Sequence, residues 1–439
     1  MNPNLGHTVE IKNCFDSHVH FLATGQVTSE LKLQNLQSVE NLRHLKIDQT
    51  FFRDNWLVGF GWNEKKWNPS KPPTLCQLDE IFPDYPVFLS RVDGHASVIN
   101  TKALQLLVEK KLVSLDDSKN FNGLLLEDTH IKALSVLPGY SDQQIESFLK
   151  KSTELFHAGG FTHVRDLSMT YKQWTLQKKL IQQKEINIYC EGFITVESVA
   201  DLERGYSEYL QCKNNPCDQL RIKGLKIFID GSLGSKTAYL SANYTDTNNK
   251  GLLLWTQTDI EKAIHFSWKN KIEIAIHTIG DEAVHTAAVA AREVAAQGLL
   301  GKFHLEHVQI IRPETFKILK PLHVYCHMQP CHWLSDQSWL KQSIGELSDY
   351  AFSWEALRKN KIKFDFGTDS PIEPANIALN IQALEQSSQK KQNLSIPKLQ
   401  DDWWKYHQHK DLNWGNGLTQ ISNGKVSQVI LDGVKLILT

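Results

Sequence analysis

The chain has 439 residues, of which 41% are hydrophobic and 22% charged, with a formal net charge of -1 and a pI near 7.0. This is the composition of a globular enzyme with one large domain plus additions or with two domains; near-neutral charge without like-charge runs disfavours nucleic acid and anionic lipid as partners. No segment approaches the roughly 20 apolar residues of a bilayer span, and the polar start lacks the charged and apolar regions of a signal peptide, so a soluble cytoplasmic protein is expected.

Near the N-terminus the run Phe15-Asp16-Ser17-His18-Val19-His20-Phe21 reads as a strand. Side chains alternate along a strand, so His18 and His20 share a face, as two ligands of one ion must. Alone, such a pair is more often two hydrogen-bonded histidines. From about Asn55 to Pro138 the chain is rich in tryptophan and proline and too long for a loop; it is expected to form an inserted subdomain, a lid or pocket wall. Seven further apolar runs follow, Phe161 to Leu167, Ile186 to Ile194, Ile222 to Ile229, Ile272 to His277, Phe303 to Val308, Val324 to Met328 and Ile362 to Phe366, with helical patterns such as Ser141 to Ala158 and Asp281 to Gln297 between most runs. Strand-helix alternation with eight strands predicts an α/β fold, a (β/α)8 TIM barrel. Gln386 to Gln392 is expected to be an exposed polar loop. The tail from Gly415 alternates turn signals with β-branched residues and is predicted to form hairpins packing with Thr8 to Lys12. The expected organisation is a barrel over 14–54 and 139–404, an inserted unit over 55–138, and a reduced β subdomain from 1–13 and 405–439. Seven cysteines at irregular spacing form neither a disulfide framework nor a zinc knuckle and fit reduced thiols.

In such a barrel the reacting groups sit at the C-terminal ends of strands. Lys226, His277, the pair Glu306-His307, and Asp369 in Thr368-Asp369-Ser370 fall at those ends, as His18 and His20 do. Each has an ordinary reading: a snorkelling lysine, core histidines, a helix N-cap at Asp369. Their joint placement favours a metal centre.

These residues lie in motifs that resemble the amidohydrolase superfamily, specifically the branch (amidohydrolase 3 type) with N-substituted formamide deformylase and exoenzyme regulatory proteins. The matching segments are Asp16-Ser17-His18-Val19-His20, Gly59-Phe60-Gly61-Trp62, Arg91-Val92-Asp93-Gly94-His95-Ala96, Lys226 through Asp230-Gly231-Ser232-Leu233-Gly234-Ser235, and Ile276-His277-Thr278-Ile279-Gly280-Asp281. To these are added Glu306-His307, Gln329-Pro330-Cys331-His332-Trp333-Leu334-Ser335-Asp336 and Gly367-Thr368-Asp369-Ser370-Pro371. The resemblance implies that His18, His20 and Asp369 hold a more buried divalent ion and that His277 and His307 hold a more exposed one. It further implies that Lys226, carboxylated by CO2, bridges the two. Zinc suits these donors. A bridging hydroxide is the implied nucleophile and Asp369 its proton carrier, giving hydrolysis of an amide, formamide or cyclic amide C–N bond. Asp93, His95, Trp62 and His332 are the implied substrate contacts. A small-molecule substrate is the expected partner, and a homodimer is compatible with the sequence.

Two departures stand out: only about a dozen residues precede the first histidine pair, and Trp403-Trp404-Lys405-Tyr406-His407 stands where the family carries an Asn-Pro-Ala helix. A reduced β-sandwich follows, with barrel closure at the last helix the point at risk. Two rival readings are a mononuclear deaminase on the same fold and a regulatory protein without turnover. The first expects a glutamate three residues after the strand-five histidine, where this chain has Gly280; the second expects lost ligands, and all are present.

Overall fold

The computed structural model of the chain describes residues 8–113, 121–388, 403–422 and 424–436. Its first strands are β1 (Val9–Lys12) and β2 (Phe15–Val19), and every residue of β2 is buried. Full burial on both faces is what a parallel barrel strand requires.

Residues Gly25–Ile145 form a compact unit of their own. It contains β3 (Leu31–Lys32), β4 (Phe52–Arg53), β5 (Trp56–Trp62), β6 (Val87–Arg91), β7 (Ala96–Ile99) and β8 (Leu124–Leu126). These form one sheet in the order β3-β5-β6-β7-β8, with β4 paired to β5. The period of two sends Leu57, Val87 and Leu89 to one core, with Trp62 and Trp67, and Val58, Phe88 and Ile99 to another. The sequence places the start of this insertion at residue 55 and its end at 138; the structure starts it at Gly25 and ends it at Ile145. The reason is that the short strands β3 and β4 pair with β5.

The remaining chain carries β9 (His163–Met169), β10 (Tyr189–Thr195), β11 (Leu220–Phe228), β12 (Glu273–Thr278), β13 (Phe303–His307), β14 (Val324–Met328) and β15 (Lys363–Phe366). Together with β2 they form an eight-stranded parallel sheet in chain order, each at a predicted run. Helices alternate with these strands, among them Tyr171–Gln182, Gln257–Lys269 and Asp281–Ala296; Thr170 and Thr256 cap the first two by accepting from the backbone N–H groups of Gln173 and Asp259. The ring closes between its first and last strands. Val19 bridges Ser370 in parallel, His20 N–H donates to Ser370 O at 2.9 Å, and Asp369 N–H donates to His18 O at 2.8 Å. Gly367 makes this approach feasible, since a Cβ there would lie 2.5 Å from the His18 nitrogen.

After the barrel come β16 (Gly417–Ser422), β17 (Lys425–Leu431) and β18 (Val434–Leu436). They form the predicted hairpins, and β1 pairs with β16 to complete a four-stranded antiparallel sheet. Residues 386–388 continue the helix Ile377–Ser388 and are not a loop, while 389–392 of the expected loop lie outside the described residues. So do residues 1–7 and 437–439 of the expected β subdomain and 389–402 of the expected barrel segment. Among the described residues no helix is long and apolar enough to cross a membrane.

The barrel interior carries charge. Glu191 of β10 lies 3.3 Å from Lys223 Nζ and 3.3 Å from His409 Nε2, and Glu273 of β12 lies 2.8 Å from Lys302 Nζ and 3.0 Å from His304 Nε2. Burial alone would raise the Glu191 carboxyl, but the His409 hydrogen bond and the Lys223 charge override it and hold it at about 2. A folded value below the unfolded one stabilises the protein above the unfolded value, and that stability is lost as pH falls through the folded one. Glu191→Gln is therefore expected to cost about 2–4 kcal/mol at pH 7. The gap to wild type should narrow from about pH 5 down toward pH 2, as read from urea unfolding midpoints at pH 7, 4 and 3.

Candidate metal centre

The histidines of the first strand and the aspartate after the last meet where the barrel closes. His18 Nε2 lies 3.3 Å from Asp369 Oδ1, and His20 Nε2 lies 3.4 Å from the same oxygen. Asp369 is held in place through its neighbour: Thr368 donates its N–H (2.8 Å) and its hydroxyl (2.6 Å) to the two carboxylate oxygens of Asp16 on β2. His307 ends β13, with Nδ1 3.9 Å from Asp369 Oδ2. His18, His307 and Asp369 each offer a ligand atom, all within 4.8 Å of one another. His307 and Asp369 take left-handed backbone conformations, φ 71° and 61°, as does Val308 at 45°. Such conformations cost about 1–3 kcal/mol each and gather at functional sites.

Buried acceptors set the histidine tautomers. His18 Nδ1 lies 2.6 Å from Glu306 Oε2, and the Glu306 carboxylate also accepts from Arg165 at 2.9 and 3.1 Å. His307 Nδ1 lies 2.8 Å from Gln329 Oε1, and the Gln329 amide nitrogen donates to His327 O at 3.2 Å, which fixes the amide orientation. An oxygen acceptor on Nδ1 leaves Nε2 as the lone-pair nitrogen that a cation needs. Both rings are held neutral. Burial pushes His18 down to about 4 against the opposing pull of Asp369 and Glu306, and burial with the adjoining His18 holds His307 well below its ordinary value. Burial would raise the Asp369 carboxyl, but His18, His20 and His307 keep it well below the usual carboxylate range.

Lys226 of β11 has no solvent exposure, so it does not snorkel. Its Nζ has no hydrogen-bond partner and lies 4.5 Å from the Phe228 ring centre. Burial lowers its pKa to about 8, assisted by Arg165 and opposed by Glu306, Asp369 and Asp230. His277 of β12 reaches the cluster by its ring, 4.5 Å from the His307 centroid. Its Nε2 faces Gly231 O at 3.2 Å, which leaves Nδ1 as its lone-pair nitrogen. His332, in the helix Pro330–Asp336, stacks on His307 and brings Nε2 within 3.5 Å of Asp369 Oδ2.

The other expected substrate contacts lie in the Gly25–Ile145 unit. Trp62 is buried in its core and donates Nε1–H to Leu89 O. Asp93 accepts from Arg91 at 2.6 Å, a guanidinium that also binds Glu64, and His95 Nδ1 lies 3.0 Å from Glu127 Oε2. The sequence does not single out Arg165, Gln329, Gln309 or Glu306 as functional residues; the structure shows Glu306 supporting His18. A charge inside the apolar run Phe161 to Leu167 is the one signal that marks Arg165.

A parallel barrel with imidazoles, a carboxylate and a buried lysine at the C-terminal ends of its strands has the layout of a TIM-barrel enzyme. A profile of the amidohydrolase family matches residues 15–395, and the chain belongs to that family, which makes it a hydrolase. It is 26% identical over 399 residues to Bacillus subtilis (strain 168) YtcJ, which bears an amidohydrolase name, covering 87% of this chain and 74% of that one. It is also 26% identical over 416 residues to the Arabidopsis thaliana protein LONG AFTER FAR-RED 3, covering 86% of this chain and 68% of that one. A crystal structure of an uncharacterized metal-dependent hydrolase from Pyrococcus furiosus superposes with a TM-score of 0.65 at 27% identity, covering 87% of this chain and 77% of the other.

The donor set fits a divalent metal: neutral imidazoles with fixed tautomers, one ionised carboxylate, and buried His18 Nε2 and Lys226 Nζ without hydrogen-bond partners. Losing an outer partner of a ligand typically weakens metal affinity 10- to 100-fold. Gln329→Leu, which removes the acceptor on His307, should weaken zinc binding by about that factor in competition with a chromogenic chelator.

Proposed function

We propose that the chain is a metal-dependent amidohydrolase that hydrolyses an amide, formamide or cyclic amide C–N bond in a small-molecule substrate. The observation that carries this reading is the convergence of His18 and His20 on one oxygen of Asp369, beside His307. In this reading His18, His20 and Asp369 hold one ion, His277 and His307 hold a second, and Lys226 serves both as a carbamate. Two divalent ions, zinc by the preference of imidazole and carboxylate donors, supply when bound an acidified water and a Lewis acid for the substrate carbonyl.

The protein groups provide the remaining chemistry. Asp369, ionised in the resting state, accepts a proton from the attacking water and returns it to the departing nitrogen. A lysine with a pKa of about 8 has roughly a tenth of its amines neutral at pH 7, against well under a thousandth for an ordinary lysine. The neutral amine would add CO2, release one proton and become a carbamate whose single negative charge is shared by two oxygens. His332 contacts the substrate. Cytoplasmic location and the absence of nucleic-acid and membrane partners complete the reading, and a homodimer is compatible with it.

The deaminase alternative meets a steric obstacle at the position where it needs a glutamate. A Cβ on Gly280 would lie 2.0 Å from Tyr239 O, a backbone atom that moves only with its loop. This favours amide hydrolysis.

The test is a panel of N-formyl amines, N-acyl amines and cyclic amides offered to the zinc-loaded protein. At least one class should turn over, and Asp369→Asn should lower kcat at least 10²-fold with an unchanged far-UV circular dichroism spectrum; undiminished hydrolysis by that variant rejects the mechanism. Elemental analysis should find two zinc ions per chain when the apoprotein is loaded with bicarbonate and fewer in CO2-free buffer. One ion per chain regardless of bicarbonate, with Lys226 unmodified by crystallography, would favour the mononuclear alternative.

A further inference from the structure

Two buried glutamines face two stacked histidines, and they face them in opposite senses. Gln329 presents its carbonyl oxygen to His307 Nδ1, whereas Gln309 presents its amide nitrogen to His332 Nδ1, at 2.8 Å in both cases. An amide nitrogen only donates, so the His332 Nδ1 it faces must be the acceptor, and the ring proton then resides on Nε2. The other end of the ring is compatible with this: His332 Nε2 lies 3.5 Å from a carboxylate oxygen, Asp369 Oδ2. Gln309 is itself anchored in buried surroundings, its backbone oxygen accepting from Phe352 N–H at 2.6 Å.

We propose that Gln309 is a positioning residue that fixes His332 as an Nε2–H donor, which makes His332 a hydrogen-bond donor to the substrate carbonyl oxygen and excludes it as a metal ligand. The neighbouring rings thus divide the labour: His307 offers a lone pair and His332 a proton. Preorganised donors aimed at an oxygen that gains charge lower the barrier for acyl transfer. The tautomer rests on the orientation of the Gln309 amide, while the role toward substrate rests on the amidohydrolase reading above.

Neutron diffraction of deuterium-exchanged, zinc-loaded crystals reads the tautomer. Deuterium on His332 Nε2 and none on Nδ1 is expected, and Gln309→Glu, which replaces the donor by an acceptor, should place deuterium on Nδ1. Deuterium on Nδ1 in the wild type, alone or together with Nε2, overturns the assignment. His332→Ala should retain the wild-type zinc content by elemental analysis; loss of a zinc equivalent would make His332 a ligand and overturn the proposal. On whichever N-formyl amine the wild type hydrolyses fastest, His332→Ala should lower kcat about 10²-fold with KM changed only a few-fold, and an undiminished kcat refutes the donor role. A wild type without bound zinc or turnover would reject the amidohydrolase reading and with it the role toward substrate, while the neutron result still decides the tautomer.

Discussion

A carboxylate with no solvent exposure, Glu306, lies between the Arg165 guanidinium and the His18 imidazole inside the barrel. Burying an ion costs several kcal/mol unless its partners are well placed, and here each oxygen has a cationic or N–H donor. The arrangement ties together β2, β9 and β13. Arg165 also donates to Ser17 O at 3.1 Å and lies 4.3 Å from the centre of the Phe193 ring, so its position is set on several sides. The same guanidinium that neutralises Glu306 helps lower the pKa of Lys226. One ion pair therefore orients a histidine, while burial, against the pull of Glu306, is what lowers the lysine pKa.

This polar interior depends on apolar packing outside it. The helix Asp281–Ala296 buries Ala283, Ala287, Ala290 and Ala291, small side chains that permit close approach to the strands. Inside the barrel Leu167, Phe193 and Ala275 form an apolar cluster, while Glu191, Lys223, Glu273 and His304 make a separate ionic layer. Both charged regions are paired internally, as exclusion from water demands.

The eight barrel strands were legible in the sequence because strands covered on both faces appear as continuous apolar runs. The metal-ligating residue types were legible because they fall at the ends of those runs. The start of the inserted unit was not, since β3 and β4 contribute two residues each and show no periodicity. The support of the histidines was also hidden: Glu306 stands 288 residues from His18 and 141 from Arg165. Residue types reveal that a histidine can bind, but which nitrogen is presented depends on partners that only folding brings together. Gln329 and Gln309 illustrate this, being chemically identical yet oriented oppositely.

The left-handed backbone at His307, Val308 and Asp369 carries a cost for any residue with a side chain. Glycine would adopt those angles without it, so the barrel rim holds residues that selection for thermal endurance alone would replace. Keeping an imidazole and a carboxylate there runs against the gradient of stability. A laboratory lineage evolved for heat resistance without an activity screen would lose its chemistry first at these positions, while still folding as a barrel.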